Sequence, residues 1–346
     1  MTILERYLSK FDQMIDPARE ERVAGRYRAV YRFEELEKPP FCWSDLPPIA
    51  DPDWPSYPYN DTFNDREKML LSQLHAPFMH YASGDDHPLT IRANYGTVIL
   101  PSILGAGWQL TENSMPWAFH LDGRDAIRRL VDNGVPDPRS GLGADCLDTA
   151  DYYMETLRRY PALSQAVYIY HPDLQGPFDV AHLLWGPDIF LGFYDCADLV
   201  HALLQLVTET YIVWLRYWKT VVGEGNEWTM HWNNWQRGGT MLRDDSAVML
   251  SPGQYREFVQ PYDQQVLDEF GGCIHFCGRG DQFVNDMAAS SNLYGLNITQ
   301  PELNNMQKIV DLCQQHRLVL IDMQEEYVPA EMKAGVTLRR SWIASQ

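Results

Sequence analysis

Basic residues are scarce in this 346-residue chain. Lys and Arg number 28 against 47 Asp and Glu, a formal net charge of −19, and no basic cluster interrupts that balance. Such a charge repels nucleic-acid backbones and anionic bilayers, so neither a nucleic acid nor a membrane is expected as a partner. Long apolar runs are missing too. The nearest, HALLQLVTETYIVWLRYW, is broken by Glu209 and Arg216, short of the roughly 18 uncharged residues that a span needs. The opening MTILERYLSKFDQMIDPAREER is charged and amphipathic, unlike a secretory signal, and a cytoplasmic location is expected. Six cysteines (Cys42, Cys146, Cys196, Cys273, Cys277 and Cys313) are too sparse for a disulfide scaffold, which leaves free thiols. No phosphate-binding glycine loop, Ser-His-Asp nucleophile elbow or CxxC pair occurs, and GLGAD at 141–145 follows no β run.

What is present is a 45% hydrophobic, 12% aromatic composition, enough for a large core at a length that decorated barrels reach as one unit. Residues 1 to about 35 read as helix. The following PPFCWSDLPPIADPDWPSYPYND packs prolines among aromatics; that density excludes helix and sheet interior and implies an extended arm. Its rings would cover the main domain or a subunit partner, or line a pocket. From residue 90, short β-rich runs alternate with helical stretches: TIRANYG (90–96), one run near TVIL or PWAFHL (97–121), AVYIYH (166–171), EWTMHW (227–232), GTMLRDD (239–245), CIHFCG (273–278), LYGLNI (293–298) and RLVLID (317–322). Eight strands alternating with helices predict an α/β fold, a (β/α)8 TIM barrel over 90–346, with 1–89 as an N-terminal helical and Pro/aromatic-rich extension.

Polar residues fall at the C-terminal ends of these runs, where such barrels place their chemistry. They are Asp173 and Gln175, His231 and Asn233, Asp244 and Asp245, His275 and Cys277, Asn297, and Asp322. In GGCIHFCGRGD, His275 and Cys277 are two apart and share a strand face; an imidazole and a thiolate there make two of the three protein ligands of a catalytic zinc site. A buried small hydrophobe and a hydrogen-bonded core histidine would be written the same way. Candidates for the third ligand are His231, Asp244, Asp245, Asp322 and Glu325, with Asp322 or Glu325 expected in that place. Asp244 and Asp245 could divide their acidities for proton transfer, or cap an amide and pair with Arg243. Ser251 and Pro252 read as N-cap and first residue of a helix. The loop YHPDLQGPFDVAHLLWG fits a binding loop or a structural turn. The tryptophans of WTMHWNNWQRGG could wall an apolar ligand or pack the arm.

The block LRDDSAVMLSPGQYREFVQPYDQQVLDEFGG followed by CIHFCG resembles the uroporphyrinogen decarboxylase superfamily, over about residues 90 to 322. The resemblance implies a (β/α)8 barrel. The porphyrinogen decarboxylases carry an N-terminal Arg-rich motif that grips carboxylates, whereas IRANYGTVILPS offers only Arg92. His-x-Cys at 275–277 is similar instead to the cobamide-dependent methyltransferase branch, in which His-x-Cys and a later Cys bind zinc and activate a thiol. The resemblance makes His275 and Cys277 zinc ligands and admits a corrinoid carried on a partner protein. The sequence departs from that branch at its end, where EEYVPAEMKAGVTLRRSWIASQ holds no cysteine.

The expected function is therefore a zinc-dependent methyltransferase. Asp244, Asp245, His231 and Asp173 are its expected catalytic residues, and Gln175, Trp232, Asn297 and Tyr262 its contacts to a small-molecule substrate. A homodimer is in keeping with the aromatic arm. Two other readings stand beside it: a metal-free decarboxylase or lyase acting on a small carboxylic acid or tetrapyrrole-like substrate, and a non-catalytic ligand-binding barrel.

Overall fold

The computed structural model describes residues 1–46 and 53–342. Within them twelve strands follow in order: β1 Phe41–Asp45, β2 Thr90–Ile91, β3 Trp108–Gln109, β4 Trp117–Ala118, β5 Tyr168–Ile169, β6 Trp228–His231, β7 Asn234–Arg237, β8 Thr240–Arg243, β9 Gly272–Phe276, β10 Leu293–Ile298, β11 Val319–Gln324 and β12 Val336–Ser341. Six form one sheet in the order β1-β12-β11-β10-β9-β8, each pairing parallel with its neighbours. A second parallel pair, β2 with β5, stands beside it. Helices connect most of the parallel strands, the β11–β12 link carrying only the 3-10 turn Glu325–Tyr327, and the mixed α/β arrangement is compatible with a (β/α)8 barrel.

Several sequence expectations are corrected. TVIL is a 3-10 turn running into the helix Ile99–Ile103. PWAFHL contributes only β4, in a two-residue antiparallel pairing with β3. EWTMHW forms β6, which turns back on β7 as an antiparallel hairpin and does not join the main sheet. The arm contains a strand after all: Phe41–Asp45 lies between Pro39–Pro40 and Pro47–Pro48, so the prolines bracket it without removing its ladder donors. Its remainder at 47–52 lies outside the described residues. Trp54 does pack, with its ring 4.4 Å from Tyr7 and 4.8 Å from Phe78.

Local chemistry explains the joints around β9. The helix Gln260–Phe270 ends at Gly271, whose φ of 57° suits glycine. A Cβ on Gly272 would lie 2.2 Å from the Thr240 carbonyl, so only glycine admits the close β8–β9 approach. All five residues of β9 are buried. Earlier in the ring, Ser251 caps the helix Pro252–Phe258 in a reciprocal capping box with Gln254, as its Ser-Pro start predicts.

The two ends of the long strands differ. At one, Met241, Cys273, Val319 and Ile321 pack with Val30 and Tyr31 of the helix Pro17–Tyr31, forming an apolar plug. Two residues further along the same strand faces stand Arg243 and His275, since side chains alternate with period two. The apolar layer thus ends where the polar one begins. Among the described residues no helix is long and apolar enough to cross a membrane.

Candidate active site

His275 sits in β9 with Arg243 of β8 and Asn297 of β10 as its ladder partners. Its Nδ1–H donates to Asn297 Oδ1 at 2.6 Å, and the Asn297 amide in turn donates to the Ile321 carbonyl at 2.8 Å. That chain fixes the ring and turns Nε2 toward the strand ends. There Cys277 Sγ lies 3.3 Å from Nε2 and Asp245 Oδ1 3.4 Å from it. The Cys277 backbone N–H donates to the same Asp245 oxygen at 2.8 Å, and its thiol to Thr299 Oγ1 at 3.5 Å. One imidazole nitrogen, one sulfur and one carboxylate oxygen fall within 4.8 Å of one another, and together they could hold a metal ion. Among the described residues no other three His, Cys, Asp or Glu side chains gather so closely.

Electrostatics separate the two adjacent aspartates. Burial would raise the Asp245 pKa, but hydrogen bonds from His275 and Cys277 outweigh it and hold the carboxyl below its ordinary range. Asp244 is fully buried beneath it, and burial followed by Asp263 pushes its pKa well up. Burial likewise lifts Asp263, to about 8. Two facing carboxyls in an apolar setting require a shared proton. His275 moves the other way from a typical buried histidine: burial pulls its pKa down, yet the bonds to Asp245, Cys277 and Asn297 raise it to about 9. Asp179 fixes the turn, its carboxylate accepting from the backbone N–H of Asp245 at 2.9 Å and of Ser246 at 2.7 Å.

The other expected residues fall in three places. Asp173 pairs with the buried Arg243 and, at 3.0 Å, with Arg92, while Gln175 donates to Asp173. His231 is fully buried and accepts from Arg243 at 2.8 Å; burial, then His171, drive its pKa far down and keep it neutral. Tyr262 lies in the helix Gln260–Phe270, its hydroxyl 2.8 Å from His201, and meets none of these groups. Asp322 and Glu325, expected as the third ligand, form ion pairs with Arg339 and Arg340 instead. Asp245 is the candidate that reaches His275 and Cys277.

Beside the centre is a cavity of about 340 Å³ whose walls include Trp232, His275, Asn297, Thr299, Asp322 and Arg339. The Trp232 and His275 rings meet nearly at right angles with centroids 4.8 Å apart, and the Arg243 guanidinium lies 4.6 Å over the Trp232 face. Thr299 and Arg339 were not singled out by sequence. The only signal for Thr299 was its place just beyond LYGLNI.

The fold has a recorded likeness. The chain is similar to a methyltransferase from Methanosarcina mazei, with a TM-score of 0.64 at 18% identity, covering 92% of each chain. At that identity the likeness is one of fold. No family model matches the chain, and no curated protein does.

Proposed function

We propose that eight parallel strands close here as a (β/α)8 barrel, and that its mouth is a zinc-dependent methyltransferase centre built on Asp245, His275 and Cys277. Two backbone bonds support closure on either side of the β2–β5 pair. The Asp86 N–H donates to the Phe41 carbonyl of β1, and the Gly176 N–H to the Arg243 carbonyl of β8, both at 2.9 Å. The observation that carries the function is the convergence of an oxygen, a nitrogen and a sulfur donor at the strand ends, a donor set suited to zinc with one position left open. Bound there, zinc would supply the Lewis acidity that lowers the pKa of an incoming thiol. The protein's own residues prepare that site. Asn297 Oδ1 accepts from Nδ1–H and leaves Nε2 as ligand, Asp179 aims Asp245 through the turn amides, and Trp232 shields one flank. A corrinoid-carrying protein as methyl donor follows from the likeness of His-x-Cys to the cobamide-dependent branch.

Zinc analysis of chain purified without chelators tests this, alongside Cys277→Ser. We expect about one zinc per chain in the parent and under about a tenth of that in the variant, both folded by circular dichroism. Zinc in neither preparation overturns the metal reading.

A second reading rests on the raised pKa of His275, which makes it an imidazolium and a proton donor at neutral pH. Zinc-free activity on a small carboxylic acid would select a metal-free carboxy-lyase. The cavity, at the lower end of the roughly 300–1,000 Å³ of small-molecule sites, suits a small acid rather than a tetrapyrrole.

A further inference from the structure

A second cavity, of about 670 Å³, lies between the first turn of the helix Arg66–Ser83 and the helix Leu142–Leu157, and shares no lining residue with the one beside His275. Its inner surface is aromatic. Phe63 and Tyr95, both buried, meet nearly at right angles with centroids 4.9 Å apart, and Trp108 leans on Phe63 at 5.4 Å. Tyr152 adds a fourth ring from the helix Leu142–Leu157. It stands seven residues beyond Asp145, about two turns, so that ring and carboxyl share one helix face.

The carboxyls at this cavity are those that the surrounding ion pairs leave over. Asp148 is taken by Arg66 at 3.5 Å and by Arg139, and Asp61 by Lys68 at 3.0 Å. Asp65 accepts from the Glu67 and Lys68 amides as the helix cap. Asp145 is half-buried and, among the described residues, accepts only from its own backbone N–H; burial pushes its pKa up, and the charge of Arg66 offsets this only in part. Glu67, beside it on the cavity, is exposed and bonds no described residue through its side chain. The site is therefore short of positive charge. Its rings are short of it too. Elsewhere cations ride on aromatic faces, Arg19 over Tyr81 at 3.9 Å and Arg243 over Trp232. Among the described residues no Lys or Arg covers Phe63, Tyr95, Trp108 or Tyr152 in this way.

We propose that this cavity binds a quaternary ammonium head group, held among the four rings and neutralised by Asp145 and Glu67. A cation whose charge is spread over methyl groups is drawn to the negative faces of aromatic rings. It has no N–H to satisfy, which suits walls made of rings, and the carboxylates act on it through charge alone. The volume leaves room for the rest of a small molecule behind the head group. No bond is made or broken there, and the site stands independently of the metal centre.

Calorimetric titration of the full chain with choline and with 3,3-dimethyl-1-butanol, which has the same shape with carbon in place of the charged nitrogen, tests this. Choline should bind about tenfold tighter or more. Asp145→Asn should weaken choline about three- to tenfold and leave the alcohol unchanged, and Trp108→Leu, which keeps an apolar wall without the ring, should narrow the preference by as much. Glu67→Gln, at an exposed position, serves in the same way if either variant fails to fold. Cys277→Ser should leave choline binding as it is. Choline binding that is lost in Cys277→Ser and kept in Asp145→Asn and Trp108→Leu belongs to the cavity beside His275 and overturns the assignment. Equal binding of choline and the alcohol by the parent overturns it as well, and so does the absence of saturable choline binding up to about 50 mM.

Discussion

The long run of strands from β8 round to β1 and the short pair β2 and β5 make a sharp contrast. The first comprises strands of four to six residues in a continuous parallel ladder, and the second pairs over two residues each. Asp245, His275, Asn297, Asp322 and Arg339 all lie in the long strands or directly beyond them. The short pair leads into Arg92 and Asp173, which reach the rest through Arg243. The contrast shows a division of labour: the residues that could hold a metal stand on the long ladders or just beyond them, while the short-strand side, with its longer loops, supplies the counter-charges that join it to them.

Breaking that seam should have the largest effect. Asp173→Ala leaves Arg243 buried without its carboxylate and should lower the unfolding free energy by about 3–5 kcal/mol, measured by urea denaturation, with zinc stoichiometry retained. Loss of zinc as well would show that the two sides are not separable.

Asn297→Ala acts wholly within the long-strand side. Freed from its Nδ1 partner, His275 should bind zinc about 10–100-fold more weakly, read by competition with a chelating dye, while the urea midpoint moves little. An unchanged zinc affinity would mean that the ladder alone sets the ring.

Titration gives the smallest effect per step. Only neutral imidazole ligates, and His275 keeps its proton up to about 9. Zinc affinity should therefore fall about tenfold for each pH unit below that value, with protons released on binding. The same shift stabilises the zinc-free chain below pH 6.5 and is lost as pH rises through 9. A flat profile between pH 6 and 8 would contradict the proton-bearing His275.

Sequence made the long-strand side legible because GTMLRDD, CIHFCG, LYGLNI and RLVLID are each short, predominantly apolar or β-branched runs. His275 and Cys277 were visible as a pair since their spacing is local. Their partner was not: Asp245 is adjacent only through the ladder of β8 on β9, and among five polar residues at three predicted strand ends the sequence preferred Asp322 or Glu325. β12, written VTLRRS, was hidden by its own arginines, and Arg339 acquires meaning only through a carboxylate 17 positions upstream. β1 was masked by its flanking prolines. EWTMHW has strand character, but nothing in its pattern says that it folds back on NWQR rather than joining the main sheet.

The pairing of β1 with β12 also constrains how the chain comes to be folded. The Trp342 N–H reaches Asp45 Oδ1 at 2.8 Å across 297 positions of sequence. During synthesis the first strand must wait, its edge unpaired, until the last has left the ribosome. Loop closure over such a separation is slow compared with forming helices. Arg339 belongs to that strand, so the cavity wall it builds can be completed only once β12 has paired.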